Sequence, residues 1–521
     1  METNGYLLNI VPILLTIVLA SMVVFFYINL ECIKKSFKKI KKSNWIYLAI
    51  IFILALSLRV WLAPHTHYVY YDEFEHINIA ENMAADLKLC ECFAWDGQNC
   101  FNCRIMPHPP GFHYILGMVF LILGRAEKWA FGLSTILNSL SVILVFLISY
   151  LWFKKEQIGL WSALLFALTP TYMKFSGSAA LGPTSLFFIL LSILFLSLYV
   201  RHKTVEMAIL SFFGLVYAIH IRAENIVLVL MAAIMLSLMG RANKKVKKAA
   251  LFLLILTPIF LIPYAVHISQ GFALKMPGWD ENIGGLYGNF KAHFVPNAFF
   301  WLNQRYHPIA YTLLAAMGAF WLFKSNRKYA LFLFSWFAVF FILYSSYHLG
   351  NFERSMRYCL NLYFPIIILS GAGIWWLMNL FKTNKSKIIF GVLMILLLLI
   401  SIYPALPFML KPLSYEKEKE YRFILSSKDL LPDNCTIFAF NPATIISTIH
   451  KPAFHESYLE EDFLKTQCKI FFKDRWCYEG KNKDRCEMIE KTFRLQPITG
   501  TKVFDKDVGF YLLGKEIGAS D

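Results

Sequence analysis

Apolar runs long enough to cross a lipid bilayer recur along this chain, each closed by a short polar or basic stretch. A helix needs about 20 apolar residues to cover ~30 Å of hydrocarbon. By that measure the pattern predicts about twelve spans, near 6–29, 45–63, 130–152, 158–175, 183–200, 206–221, 225–239, 249–268, 306–323, 329–346, 357–380 and 387–405. The first run, GYLLNIVPILLTIVLASMVVFFYINL, is too long for a signal-peptide core and has no basic start or small-residue cleavage site. It is expected to be retained. The stretch PGFHYILGMVFLILG (110–124) is apolar but short for a crossing, and is read as a helix lying along the outer surface.

Composition supports this reading. Of 521 residues, 57% are hydrophobic and 16% charged, against roughly a quarter charged in soluble proteins. The formal net charge of +17 would suggest nucleic acid in a soluble protein. Here the cations cluster in short loops at 34–42, 154–155, 201–203, 241–248, 324–328 and 382–387, and with 110–124 kept outside all of them fall on one side. Short basic loops mark the cytoplasmic face, so the charge encodes topology, with some attraction to anionic membrane lipid. No nucleic-acid partner is expected.

Three segments then lie outside the membrane: 64–129, 270–297 and the tail 406–521. The expected organisation is an extra N-terminal span with its basic loop (1–44), a membrane domain (45–405) and an extracytoplasmic α/β domain (406–521). Residues 270–297, rich in glycine and aromatics, are expected to form a mobile loop. In the tail, 414–431 reads as an amphipathic helix, and 435–440, 468–473 and 509–514 read as strands. Eight of the ten cysteines fall outside: Cys90, Cys92, Cys100 and Cys103 in the first loop, Cys435, Cys468, Cys477 and Cys486 in the tail. Even numbers per segment fit disulfides in an oxidising compartment. The run CECFAWDGQNCFNC also fits a four-thiolate zinc knuckle.

Candidate chemistry gathers just past the second span. In YYDEFEHINIAENMAADLK, Asp72 and Glu75 have the spacing of a helix cap and its partner, with Ile77, Ala80, Ala84 and Leu87 as an apolar stripe of an interfacial helix. A second reading makes Asp72, set among Tyr68, Tyr70, Tyr71 and Phe74 and beside Glu73, a general base facing a substrate hydroxyl. In RIMPHPPGFHYILG, Pro109 and Pro110 suit a helix start. Arg104 and His108 precede that start, in a turn that either returns the chain to the membrane or cradles a phosphate. Arg222 lies in a short external turn where orientation needs no cation. It reads either as a phosphate ligand or as an interfacial ion pair of little energy with Glu224. Arg357 at a span end reads as a snorkelling anchor or as a second ligand, and Arg354, three residues earlier, would share its face on a helical turn. Lys174 is a weaker external candidate.

An Asp-Glu pair past a transmembrane helix, followed by His-Pro-Pro and a short helix, resembles the membrane glycosyltransferases of the GT-C fold. The chain is similar in this to the dolichyl-phosphate-mannose protein mannosyltransferases and the lipid A aminoarabinose transferases (the glycosyltransferase family 39-like group). SGSAALGPTSLFF, IHIRAENIVLVL and ERSMRYCLNLYFPIIILSGAG also resemble segments of that group, in the same order. The resemblance implies an inverting transfer of a hexosyl or pentosyl unit from a polyprenyl-phosphate donor to a protein, glycan or lipid hydroxyl. It places the active site on the extracytoplasmic face of a cell or endoplasmic-reticulum membrane. It further implies Asp72 as base with Glu73 in the acidic pair, and His108, Arg222, Arg354, Arg357 and Arg104 as cations for the phosphate. No metal or other cofactor is implied. The N-terminal span and the four-cysteine insert depart from the pattern, and the absence of Trp-Trp-Asp-Tyr-Gly counts against an oligosaccharyltransferase catalytic subunit. The competing classes are a transporter or flippase of lipid-linked sugars, whose polar groups would lie nearer the midplane, and a membrane scaffold with a binding tail.

Overall fold

A computed structural model describes residues 3–240, 244–273, 285–347, 349–410, 415–460, 468–503 and 505–516. The chain divides into two compact units that interleave along the sequence. One comprises Met1–His65, Pro107–Phe112 and Phe131–Lys411, the other Thr66–Met106, His113–Ala130 and Pro412–Asp521.

The first unit is helical and integral to the membrane. Among the described residues, eight helices, which include Glu127–Phe153, Leu181–His202 and Leu360–Met378, are long and apolar enough to cross a bilayer. The other four expected spans fall on shorter apolar helices, Glu156–Leu168, Val205–Ile219, Ala223–Met239 and Ile309–Ser325. The span expected at 158–175 is broken at Thr169, because Pro170 starts a separate short helix, Pro170–Ser176. Leu360–Met378 is buried from Leu360 to Ile374 on every face, the central strut of the unit. Ile309–Ser325 lies hard against it: a Cβ on Gly318 would stand 1.8 Å from the Leu369 carbonyl oxygen. Small residues are what allow membrane helices such contact. Arg59, fully buried, is a structural cation. Its guanidinium donates to Asn138 Oδ1 (2.6 Å), to the Ala55 carbonyl and to the Phe166 and Ala167 carbonyls that end Glu156–Leu168, where a helix terminus favours positive charge.

The expected loop at 270–297 is replaced at both flanks by helix, Ile262–Ala273 and Gly285–Phe300. Phe290 and Phe294, four apart and 5.2 Å between ring centres, form the side-chain pair that a helical turn brings together. The remaining 274–284 lie outside the described residues.

The second unit carries a seven-stranded sheet in the order β2-β1-β4-β3-β5-β7-β6. Its strands are β1 (Glu91–Trp95), β2 (Cys100–Arg104), β3 (Cys435–Ala439), β4 (Ala453–His455), β5 (Cys468–Lys473), β6 (Phe493–Val503) and β7 (Lys506–Glu516). β3 is wholly buried and pairs in parallel with β4 and β5, as a continuous apolar run requires. The flanking pairs are antiparallel, and β1 joins β4, so the first loop adds a hairpin to the sheet of the tail. Helix Tyr415–Ser427 occupies the expected amphipathic segment. The external cysteines pair as Cys90–Cys103, Cys92–Cys100, Cys435–Cys468 and Cys477–Cys486. The first two lace the β1–β2 hairpin, which consumes the four thiols of the proposed zinc knuckle.

Helix Tyr71–Asp86 is not the interfacial amphipath that the spacing suggested. It is buried nearly all round, with Glu73, His76, Asn78, Glu81 and Asn82 inside and Leu87 exposed. The buried amides are satisfied within the unit: Asn78 Oδ1 accepts the Cys92 N–H (2.7 Å) and Asn82 donates to the Cys90 carbonyl (3.0 Å). The hairpin therefore converts a would-be surface helix into core.

Candidate active site

In the second unit the helix bearing Asp72 begins at Tyr71, and its cap position is Tyr70, with φ 61° and ψ −99°. Asp72 is thus not the cap expected from the Asp72–Glu75 spacing. It is the second helical residue, half-buried in the first turn, where the helix dipole favours a carboxylate. A tyrosine at positive φ is strained, and such strain concentrates at functional sites. Tyr70 is held there by burial, edge-on to Tyr71 (4.8 Å) and Phe74 (5.2 Å).

Glu73 differs from its neighbour. It is 0% exposed, with Oε1 accepting the Val69 N–H (2.8 Å) and Oε2 facing His67 Nδ1 (3.2 Å). The other His67 nitrogen, Nε2, bonds Glu127 Oε1, and Tyr421 of the tail helix donates to Glu127 Oε2 (2.5 Å). Burial alone would lower the His67 pKa. The bonds to Glu127 and Glu73 outweigh it and push it up to about 9, so an imidazolium stands between two carboxylates at neutral pH.

The tail contributes residues that the sequence did not single out. The Tyr71 hydroxyl donates to Glu420 Oε1 (3.3 Å), and Arg475 Nε donates to Tyr71 Oη (3.1 Å). Arg475 also stacks on Tyr71 (4.8 Å) and Trp476 (5.5 Å), and Lys417 lies over the Tyr70 ring (5.7 Å). Burial, partly offset by Arg475 and Tyr71, pushes the Glu420 carboxyl up to about 7. The one available signal was Glu418, Glu420 and Tyr421 clustered in a helix read only as amphipathic.

The first unit holds His108, Arg222, Arg354 and Arg357. The His-Pro-Pro turn is stapled to the turn that carries Arg222: the Gly111 N–H donates to the His220 carbonyl (2.7 Å), and the Tyr217 hydroxyl donates to the Gly111 carbonyl (3.0 Å). A Cβ at Gly111 would lie 2.7 Å from that His220 oxygen, which explains glycine here. His108 and Arg222 thus sit on two joined turns. Arg222 is 7% exposed. It pairs with Glu224 (2.9 Å), reaches toward the Arg357 carbonyl (3.5 Å) and lies over Tyr358 (5.4 Å), a ring that Arg357 also covers (5.2 Å). The expected Arg222–Glu224 ion pair is thus present, with the arginine buried and the carboxylate half-buried. Burial would depress the Arg222 pKa, but Glu224, with Tyr344 and Tyr358, holds it above the ordinary arginine value. Arg354 does not share a helical face with Arg357. Ser355, at φ −132° and ψ 65°, takes the chain out of helix between them, and Arg354 is exposed. Lys174 lies over Phe408 (5.8 Å) in this unit. Arg104 belongs to the second unit, at the end of β2, opposite Glu91 and over Phe93 (5.2 Å).

This architecture is the GT-C membrane fold. Residues 107–268 match the family described as dolichyl-phosphate-mannose-protein mannosyltransferase. Among solved structures, ArnT from Cupriavidus metallidurans bound to undecaprenyl phosphate aligns over 91% of this chain and 98% of its own, at TM-score 0.59 and 12% identity. The archaeal oligosaccharyltransferase AglB from Archaeoglobus fulgidus, in complex with an inhibitory peptide and a dolichol-phosphate, aligns over 91% and 74%, at TM-score 0.55 and 11% identity. Against the apo crystal structure of the Archaeoglobus fulgidus oligosaccharyltransferase the chain spans 65% of that protein and 80% of its own length, at TM-score 0.56 and 10% identity. No curated protein matches the sequence. The resemblance drawn from the acidic pair and the His-Pro-Pro turn is thus met at the level of fold.

Proposed function

We propose that this protein is an inverting glycosyltransferase that moves a sugar from a polyprenyl-phosphate donor to an acceptor hydroxyl at the extracytoplasmic membrane face. The observation that carries the reading is a cation cluster: buried Arg222 and half-buried Arg357 share the Tyr358 ring, and the turn that carries Arg222 is stapled through His220 to Gly111 of the His-Pro-Pro turn. Buried positive charge suits an anion that grows during the reaction. The match of residues 107–268 covers both His108 and Arg222, and two proteins of the same fold carry undecaprenyl phosphate or a dolichol-phosphate.

In this mechanism Asp72 takes the proton of the acceptor hydroxyl as that oxygen attacks the anomeric carbon. The new C–O bond forms on one face while the bond to the phosphate breaks on the other, inverting the centre. The bonding pair leaves with the polyprenyl phosphate, and Arg222, His108 and Arg357 stabilise its charge. Glu73 has both oxygens engaged, so its task is to fix the loop and not to accept the proton. Arg354 and Arg104 have weaker claims, being exposed.

Mass spectrometry of purified Asp72→Asn tests the donor: lipid-linked sugar should accumulate on it relative to wild type. A flippase or scaffold would show equal amounts on both.

A further inference from the structure

The end of the membrane unit that carries the basic loops has a feature that topology does not require. Residues 30–45 hold six lysines and one acid, Glu31, and an exposed pair joins Glu31 to Lys34 (3.0 Å). Helix Leu30–Phe37 follows the first span and is docked on the ends of two others. Ser36 Oγ is in hydrogen-bond contact with His202 Nε2 (2.6 Å), and Phe37 packs on Tyr150 (6.2 Å between ring centres). Beyond the helix, Glu156 accepts the Lys41 N–H (2.9 Å) and a bond from Asn44, which fixes the loop at its far side. These contacts gather three basic clusters, since Lys35, Lys154 and Arg201 all act electrostatically on His202.

The docked helix forms one wall of an apolar groove of about 560 Å³, within the size range of ligand sites. Phe26, Trp45, Leu147 and Leu191 line it from four spans, and Lys34 and Lys38 line it from the helix side. Leu191 lies eleven residues before His202, where its span ends, or about 16 Å at 1.5 Å per residue. Half of the ~30 Å hydrocarbon core is about 15 Å. The groove is therefore one leaflet deep, with its cations at the mouth and with Trp45 among its walls. Orientation of the chain needs lysines in the loop, but it needs no groove beside them.

We propose that this groove is a binding site for an anionic phospholipid of the leaflet beside the basic loops. One acyl chain lies among Phe26, Trp45, Leu147 and Leu191, and the phosphate meets Lys34 and Lys38. Charge complementarity names the occupant. A zwitterionic lipid brings a further cation to a mouth already rich in them, whereas a net negative headgroup offsets their repulsion. The exposed Glu31–Lys34 pair is worth little, so it does not compete with the phosphate. Arg222 lies beyond the far end of helix Val205–Ile219, which starts just after the basic cluster at 201–203. The lipid site is thus distinct from the cations proposed for the donor and does not depend on the transfer reaction.

Native mass spectrometry of the full chain in detergent tests this, with phosphatidylglycerol and phosphatidylcholine of the same acyl chains as probes. Wild type should retain phosphatidylglycerol in preference. Lys34→Gln/Lys38→Gln should lower that preference roughly twentyfold, at about fivefold per lysine near a membrane surface. Lys382→Gln/Lys385→Gln, the same change of charge in another basic loop, should leave it intact. Leu147→Trp, which fills the groove and spares every charge, should abolish it. Equal retention of the two lipids by wild type overturns the inference. So does an equal loss in the two lysine pairs, or an unchanged preference in Leu147→Trp, because charge alone would then attract the lipid. Stronger retention of undecaprenyl phosphate than of phosphatidylglycerol, lost with Lys34 and Lys38, assigns the groove to a polyprenyl phosphate and overturns it too. If Leu147→Trp does not fold, the two lysine pairs decide by themselves.

Discussion

Asp72 and Glu73 adjoin in sequence, and the structure gives them opposite surroundings. Asp72 is half-buried in a first helical turn, whereas Glu73 is sealed against His67 and the Val69 N–H. Glu73→Gln should cost about 3 kcal/mol or more of stability, because it leaves a buried imidazolium short of a partner; differential scanning fluorimetry would read this as a lowered melting temperature. The same network sets a pH dependence. His67 is raised from 6.5 to about 9, so its contribution is complete below about 6.5 and is lost as pH rises through about 9. Glu420 at about 7 and Glu81 at about 8, both raised by burial, act in the same sense from about 4.5 upward. The melting temperature should therefore fall from pH ~6 to ~9, and His67→Gln should flatten the upper part of that fall. A melting temperature that rises over this interval would contradict the assignment. The Asp-Glu pair was legible from the sequence, but this division of labour was not: it depends on Glu127 and Tyr421, 60 and 294 residues from their partners.

At the scale of elements, hydropathy located the spans well, because apolar length is a property of each segment alone. The break within one of them needed local chemistry, as Thr169-Pro170 shows. The strands at 435–440, 468–473 and 509–514 were also readable, whereas the role of β1 and β2 in the same sheet was not, since pairing with β4 spans more than 350 residues. The element most exposed to test is the His-Pro-Pro turn. Gly111→Ala would drive a Cβ to within 2.7 Å of the His220 oxygen and push the two turns apart. An ångström of misplacement lowers rate on the order of 10²-fold, so donor kcat/KM should drop on that order while Asp72 keeps its surroundings. Wild-type kinetics in this variant would separate the turn from the chemistry.

At the scale of the whole molecule, the chain holds a helical membrane unit with Arg222 and a mixed α/β unit with Asp72 and Glu73. The acid-bearing loop owes its form to the tail, which explains why the tail residues Lys417, Glu420 and Arg475 escaped a reading based on motifs. The Cys435–Cys468 disulfide closes 33 residues between β3 and β5, worth about 4 kcal/mol by loop entropy. Reduction should therefore lower the melting temperature of the sheet unit. The membrane helices should keep their circular dichroism, since the described cysteines left in that unit, Cys32 and Cys359, are unpaired thiols. The central claim is that one carboxylate, Asp72, takes the acceptor's proton. It is tested most directly by single-turnover transfer from a polyprenyl-phosphate sugar, with wild type and Asp72→Asn compared at matched folding. The account predicts a loss of at least about 10³-fold in rate with donor binding unchanged; transfer by Asp72→Asn at the wild-type rate would contradict it.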